Sequence, residues 1–299
     1  MRRIAMLAAA LTLLVAGPAS AAPLPVSYHF LQDAITYGAM ADPPGANQWT
    51  CRPSAAHPTP VVLVHGTAGS AAGNWASLSA SLKNNGYCVY ALTYGLAPEL
   101  AGVPVPVGGM ARIQDSAKEL AAFITKVRRA TGASRVDLVG HSQGTLMPTY
   151  YVKFLGGARF VHRYISLSPL WHGTGGDPAL MNLATILGVD PADLVPVCRA
   201  CLQMATGSPF LAKVRQGGVK VPGIVYTNIV SAMDEVVLPY TSGIEAGMRN
   251  IVLQNVCAQD YSDHVQIPAS PTAIDLVLNA LDPAHPRTPR CQLVLPLNG

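Results

Sequence analysis

Ser142 stands in Gly140-His141-Ser142-Gln143-Gly144, directly after the apolar run Val136-Asp137-Leu138-Val139. A serine at the exit of a buried strand, with a glycine two residues to either side, is the pattern of a sharp strand-to-helix turn. Such a turn lifts Oγ into the open with helical N–H groups behind it. Glycines belong there because the reversal needs either a positive φ or a bare Cα where chains crowd. A serine hydroxyl is a poor nucleophile at neutral pH. Acyl transfer therefore requires a base within hydrogen-bond reach, an acid to orient that base, and N–H donors for the developing oxyanion. In a chain with 27 glycines the five-residue pattern is weak by itself, so its partners decide its weight.

On the sheets that carry such turns the chain order is serine, then Asp or Glu, then histidine, with the last two on loops after late strands. One such loop reads Val230-Ser231-Ala232-Met233-Asp234-Glu235, and the next reads Asp260-Tyr261-Ser262-Asp263-His264. Only His264 and His285 lie beyond the first loop, and His285 sits in a stiff, proline-flanked tail. His264 is the expected base. Asp234 is the expected acid, with Glu235 as the alternative that a one-residue shift of the loop would exchange for it. Asp263 fits less well, because neighbouring side chains diverge. The oxyanion donors are assigned to the backbone N–H groups of Gln143 and of Thr67, which follows the strand exit Val64-His65-Gly66. The Thr67 hydroxyl is a third candidate. His141 cannot face the Oγ of its own neighbour and reads as a packing and hydrogen-bonding residue.

Elements to position these groups are visible in the pattern of apolar residues. Runs rich in β-branched and aromatic residues at 61–64, 88–92, 136–139, 163–167, 223–229 and 251–256 predict strands. Ile113, Ala117, Leu120, Ile124 and Val127 recur at helical spacing, and Gly132 is placed to end that helix. Ser270 and Pro271 open another, with Ile274, Leu278 and Leu281 as its stripe. Alternating strands and helices predict an α/β fold, a mostly parallel sheet covered on both faces in a single domain over 22–299. Residues 171–222 are too long for an ordinary connector. Their apolar residues, from Leu180, Met181, Leu183, Ile186 and Leu187 to Leu194, Val195, Leu202 and Met204, predict a cap of short helices over the site.

Met1-Arg2-Arg3, the apolar stretch from Ile4 to Val15 and Ala19-Ser20-Ala21 read as a secretory signal peptide over 1–21, cleaved after Ala21. The stretch is shorter than the roughly 20 residues of a spanning helix. Twenty basic residues against 16 acidic ones, two of the basic ones in that leader, leave a nearly neutral mature chain and argue against nucleic acid as a partner. An apolar content of 50% in an exported chain instead suggests contact with oil-like material. Six cysteines in that compartment predict three disulfides, for which Cys51–Cys88, Cys198–Cys201 and Cys257–Cys291 are the expected pairs. Cys198-Arg199-Ala200-Cys201 is then a structural bridge rather than a redox or zinc motif.

Val64-His65-Gly66-Thr67, Asn74-Trp75, Gly86-Tyr87-Cys88-Val89, the Ser142 turn, Asp234-Glu235-Val236-Val237 with Pro239-Tyr240, and Asp263-His264 together resemble the secreted bacterial class 2 triacylglycerol lipases of the α/β-hydrolase fold. The likeness covers nearly the whole mature chain. It implies hydrolysis of fatty-acyl esters at an oil–water or membrane interface, with Ser142, Asp234 and His264 as triad and no metal or organic cofactor. Thr145 stands where that family often has a second glycine, a difference expected to tighten the acyl pocket. Short-chain esters, polyesters or cutin, and acyl transfer to an alcohol in the cell envelope are alternative activities. A binding module on the same scaffold is the non-enzymatic alternative.

Overall fold

Val61, Val62, Leu63 and Val64 are all fully buried, which only a strand covered on both faces allows. This strand, β1 (Val61–Val64), lies inside a sheet of six parallel strands. The computed structural model describes residues 22–38, 40–97, 107–175, 182, 184–186, 188, 190, 196–297 and 299. The expected signal peptide, and Leu180, Met181, Leu183, Leu187, Leu194 and Val195 of the expected cap, lie outside the described residues.

With β2 (Val89–Leu92), β3 (Val136–His141), β4 (Val161–Leu167), β5 (Val225–Val230) and β6 (Arg249–Val252), the sheet order is β2-β1-β3-β4-β5-β6. The serine-bearing strand β3 is thus central. Its register sets Val64 beside Gly140 and Leu167 beside His141, so three strand ends meet at the serine turn. The period-2 alternation of side chains sorts the core. Val62, Val64 and Leu138 pack with α3 (Ile113–Thr131) and α4 (Gln143–Phe154), whereas Val61, Leu63, Val139 and Ile165 pack with α2 (Ala71–Asn84), against which α1 (Phe30–Tyr37) lies, and with α6 (Pro271–Leu281). All five predicted stripe residues of α3 are buried, and Gly132 ends the helix in the left-handed conformation. Ser270 caps α6, its Oγ accepting the Ala273 N–H at 3.0 Å.

The expected strand over 251–256 is corrected. β6 ends at Val252, and Leu253–Val256 winds into one helical turn, closed by the Cys257 N–H on the Leu253 carbonyl at 2.9 Å. The apolar content that suggested a strand is served by burying Leu253 alone. Winding also turns Gln254 inward. Its Oε1 accepts the Ala232 N–H at 2.8 Å, and its Nε2 donates to Ser231 Oγ at 3.0 Å and to the Asp260 carbonyl at 2.9 Å. Gln254 thereby ties together the loops that carry Asp234 and His264.

Within 171–222, the described residues include the single turn Cys201–Met204 and α5 (Pro209–Arg215). Trp171, Met204, Phe210, Leu211 and Val214 belong to the same buried cluster as α4. Lys153 on α4 donates to the carbonyls of Val214, Gln216 and Gly218 at 2.5, 2.8 and 2.5 Å. An ammonium there satisfies the orphan carbonyls at the negative end of α5. The three disulfides pair Cys51 with Cys88, Cys198 with Cys201 and Cys257 with Cys291, as expected. The third anchors the C-terminal tail to the residues that follow β6.

Candidate active site

Two close approaches make the serine turn. A Cβ on Gly140 would lie 2.1 Å from the Gly144 carbonyl oxygen, and one on Gly144 would lie 2.0 Å from that of Val64. Neither glycine has a positive φ, so crowding, not backbone freedom, demands them. Ser142 instead bears the unusual backbone, at φ 54° and ψ −125°, a region that costs a non-glycine residue about 1–3 kcal/mol. Helix α4 begins at the next residue.

Ser142 Oγ lies 2.9 Å from His264 Nε2. On the other side of the ring, Nδ1 lies 2.9 and 3.0 Å from the two carboxylate oxygens of Asp234. Ser142, Asp234 and His264 are only 7%, 6% and 5% exposed, so the bonds form away from bulk water. Asp234 is held in turn by its own loop, its Oδ1 accepting the N–H groups of Val236 at 3.0 Å and Val237 at 2.7 Å. Burial by itself would raise this carboxyl, but the facing imidazole and the N–H donors outweigh it and hold the group below the ordinary carboxylate range. For His264, burial opposes protonation. The carboxylates of Asp234, Glu235 and Asp263 outweigh that and raise the imidazole above 6.5.

The histidine loop is fixed at each step. Asp260, fully buried, accepts the Ser262 N–H at 3.1 Å and hydroxyl at 2.5 Å on Oδ1, and the Ser270 hydroxyl at 2.6 Å on Oδ2. Asp263 accepts the Val265 and Gln266 N–H groups at 3.1 and 2.8 Å. Its second oxygen accepts the Leu297 N–H at 2.9 Å, using the tail secured by the third disulfide. Asp263 therefore points away from the ring beside it. Glu235, the alternative acid, accepts the main-chain N–H of His264 at 3.1 Å. His285 bonds to Asp282 at the surface, and among the described residues its ring has no other hydrogen-bond partner.

The proposed oxyanion donors come together from two segments. Gly66 presses against the serine, since a Cβ there would lie 3.1 Å from Ser142 Cβ, and this brings Thr67 alongside. The N–H of Gln143, in the first turn of α4, has no acceptor within the helix. The Thr67 hydroxyl, a candidate third donor, instead donates to Gln143 Oε1 at 2.7 Å and so bridges the two segments. Thr145 lies in the first turn of α4. It is fully buried, and its hydroxyl donates to the Ser142 carbonyl at 2.7 Å. A polar hydrogen turned back onto the elbow ties the first turn of α4 to the serine turn.

Two buried histidines support this arrangement, His141 in the hydrogen-bonding role expected of it. His141 donates from Nε2 to the His264 carbonyl at 2.8 Å, while Nδ1 lies 3.0 Å from the side-chain amide oxygen of Asn74. Burial keeps this imidazole neutral by lowering it to about 3, and lowers His65 to about 4. His65 bonds to the Gly66 carbonyl at 2.7 Å and accepts the Tyr94 N–H at 3.3 Å, which secures the strand exit. A motif identifies the serine. It does not say which neighbours brace the histidine.

Known proteins share this frame. Over 96 residues, which span 30% of this chain, the sequence is 35% identical to a triacylglycerol lipase of Pseudarthrobacter phenanthrenivorans and 34% identical to one of Burkholderia plantarii. Those matches cover 27% and 24% of the respective relatives. Among solved structures, Aspergillus fumigatus lipase B superposes with a TM-score of 0.59 at 22% identity, over 83% of this chain and 56% of that one. The mature form of Bacillus licheniformis lipase BlEst2 does so with 0.57 at 18% identity, over 77% and 94%. Similarity at that level of identity shows the shared α/β-hydrolase fold. The model of the family described as Lipase (class 2) matches residues 58–276, from just before β1 into α6, and the chain therefore belongs to the class 2 lipase family.

Proposed function

We propose that the protein is a secreted carboxylic ester hydrolase that cleaves fatty-acyl esters, triacylglycerols among them, through an acyl-enzyme on Ser142. The observation that carries this reading is the unbroken line from Ser142 Oγ through both ring nitrogens of His264 to Asp234. His264 Nε2 takes the serine proton as Oγ attacks the ester carbonyl, and Asp234 holds the imidazolium. The tetrahedral oxyanion is met by the N–H groups of Gln143 and Thr67. Collapse expels the alcohol, which receives the proton from Nε2. Water then attacks the acyl-enzyme by the same route, releasing the fatty acid and restoring Ser142. The named relatives are triacylglycerol lipases, which favours fatty-acyl esters as substrates. Three disulfides suit an oxidising compartment and support export.

The test compares wild type with Ser142→Ala on p-nitrophenyl esters of increasing chain length, soluble and emulsified, with labelling by a serine-directed phosphonate. Loss of turnover and labelling in the variant, with wild-type preference for long emulsified esters, is expected. Full activity of the variant refutes the nucleophile. A preference for short soluble esters refutes the lipase reading, and transfer of the acyl group to an added alcohol in place of hydrolysis refutes hydrolysis.

A further inference from the structure

Glu235 is not the acid of the triad, yet it touches the same histidine. Its Oε2 accepts the His264 main-chain N–H at 3.1 Å, and its Oε1 is buried with no hydrogen-bond partner among the described residues. Its own carbonyl accepts the side-chain amide of Asn182 at 2.7 Å, which pins the residue from behind. Burial and the nearby Asp263 carboxylate push Glu235 above the ordinary range, so its charge is costly where it stands. A glutamine could accept the same N–H without that cost. The feature that packing does not explain is the negative charge.

We propose that Glu235 is a positioning residue for the base, clamping the main chain of His264 and supplying a second carboxylate, besides Asp234, that favours the imidazolium of the transition state. The inference rests on the reading of Ser142 and His264 as nucleophile and base. The titratable and polar groups around His264 are Asp234 at Nδ1, Glu235 at its N–H, the Ser142 hydroxyl at Nε2, the neutral ring of His141, 5.0 Å away between centroids, and Asp263, which is turned away from the ring but near enough for its charge to act on it. Those facing Glu235 are Asp263 and His264. Removing one charge from this set alters the pH at which the base becomes protonated. A residue that served only to hold the loop would alter the rate and leave that pH unmoved.

The experiment follows the pH dependence of phosphonate inactivation and of kcat/KM for wild type, Glu235→Gln and Glu235→Asp, with folding checked by circular dichroism. In Glu235→Gln the acid limb moves down by about half to one pH unit, with a smaller fall in the alkaline plateau. In Glu235→Asp the charge remains and the bond lengthens, so the plateau falls while the limb stays at the wild-type pH. Coincident limbs for wild type and Glu235→Gln overturn the proposal, as does an equal displacement in Glu235→Asp. Should Glu235→Gln fail to fold, Glu235→Asn, which lacks the charge at the length of Glu235→Asp, takes its place: a limb below that of Glu235→Asp supports the proposal and coincident limbs overturn it. Wild-type protein that never labels at Ser142 overturns the nucleophile assignment instead, a failure separate from this one.

Discussion

The ring of His141 donates to the main-chain carbonyl of His264 across 2.8 Å, so the residue before Ser142 holds the histidine whose ring faces the Ser142 hydroxyl. His141 ends strand β3 and Ser142 follows it directly, so one short segment carries both the serine and the brace on the facing histidine. Glu235 engages the N–H of His264 and His141 its carbonyl, leaving the imidazole as the part free to exchange a proton. Their opposite placement keeps Nε2 aimed at Oγ.

Replacing His141 by alanine is expected to lower kcat by about tenfold with little change in KM, since the substrate is not touched. The unpaired buried carbonyl also costs about 1–3 kcal/mol of stability. Asparagine or glutamine, which retain an N–H donor, should recover part of both losses. Steady-state kinetics and urea unfolding of the three variants measure this.

If His264 is the base proposed above, it must be neutral to act, and with its imidazole raised above 6.5 kcat/KM should fall with decreasing pH along a limb centred above 6.5. Asp234→Asn keeps the shape but removes the charge and the correct tautomer, and is expected to cost about 10³–10⁴ in kcat. A pH–rate profile and single-turnover acylation of the variant provide the check.

His65 and His141 should show no ring titration by NMR above pH 5, in contrast to His264. In the unfolded chain both take up protons near 6.5, whereas in the fold they do so only at about 4 and 3. Their folded pKa values are depressed, so the stability they contribute is present above 6.5 and lost as pH falls. Each loses about 1.4 kcal/mol per pH unit below 6.5 until its folded pKa is reached. Urea midpoints of wild type and His65→Asn between pH 7 and 4.5 would expose the difference, with the variant less acid-sensitive.

Gly144→Ala is expected to destabilise the fold by at least about 3 kcal/mol or to prevent folding, because its Cβ would meet the Val64 carbonyl carbon at 2.7 Å and its oxygen at 2.0 Å. Gly156→Ala, at a glycine with open space around it, is the control for which strain from its positive φ alone should register. Thermal unfolding of both variants distinguishes crowding from backbone conformation.

Local pattern alone was sufficient for the serine turn, the stripe of α3, the Ser270 cap and five of the six strand positions. Each depends on residues adjacent in the chain or on one face of a single element. It failed at Leu253–Val256, where apolar residues suited a strand but the polar contacts of Gln254 reach loops more than twenty residues earlier. It favoured Asp234 but kept Glu235 as the alternative, because neighbouring acids differ only in where the loop points them. Tertiary structure separated them, sending one to the imidazole ring and the other to the main chain. The same holds for His141, Asp260 and Asp263: their chemistry was legible, but their partners were not. A hydrogen bond depends on distance and angle at a few ångströms, and those are set only after the sheet has brought remote segments together.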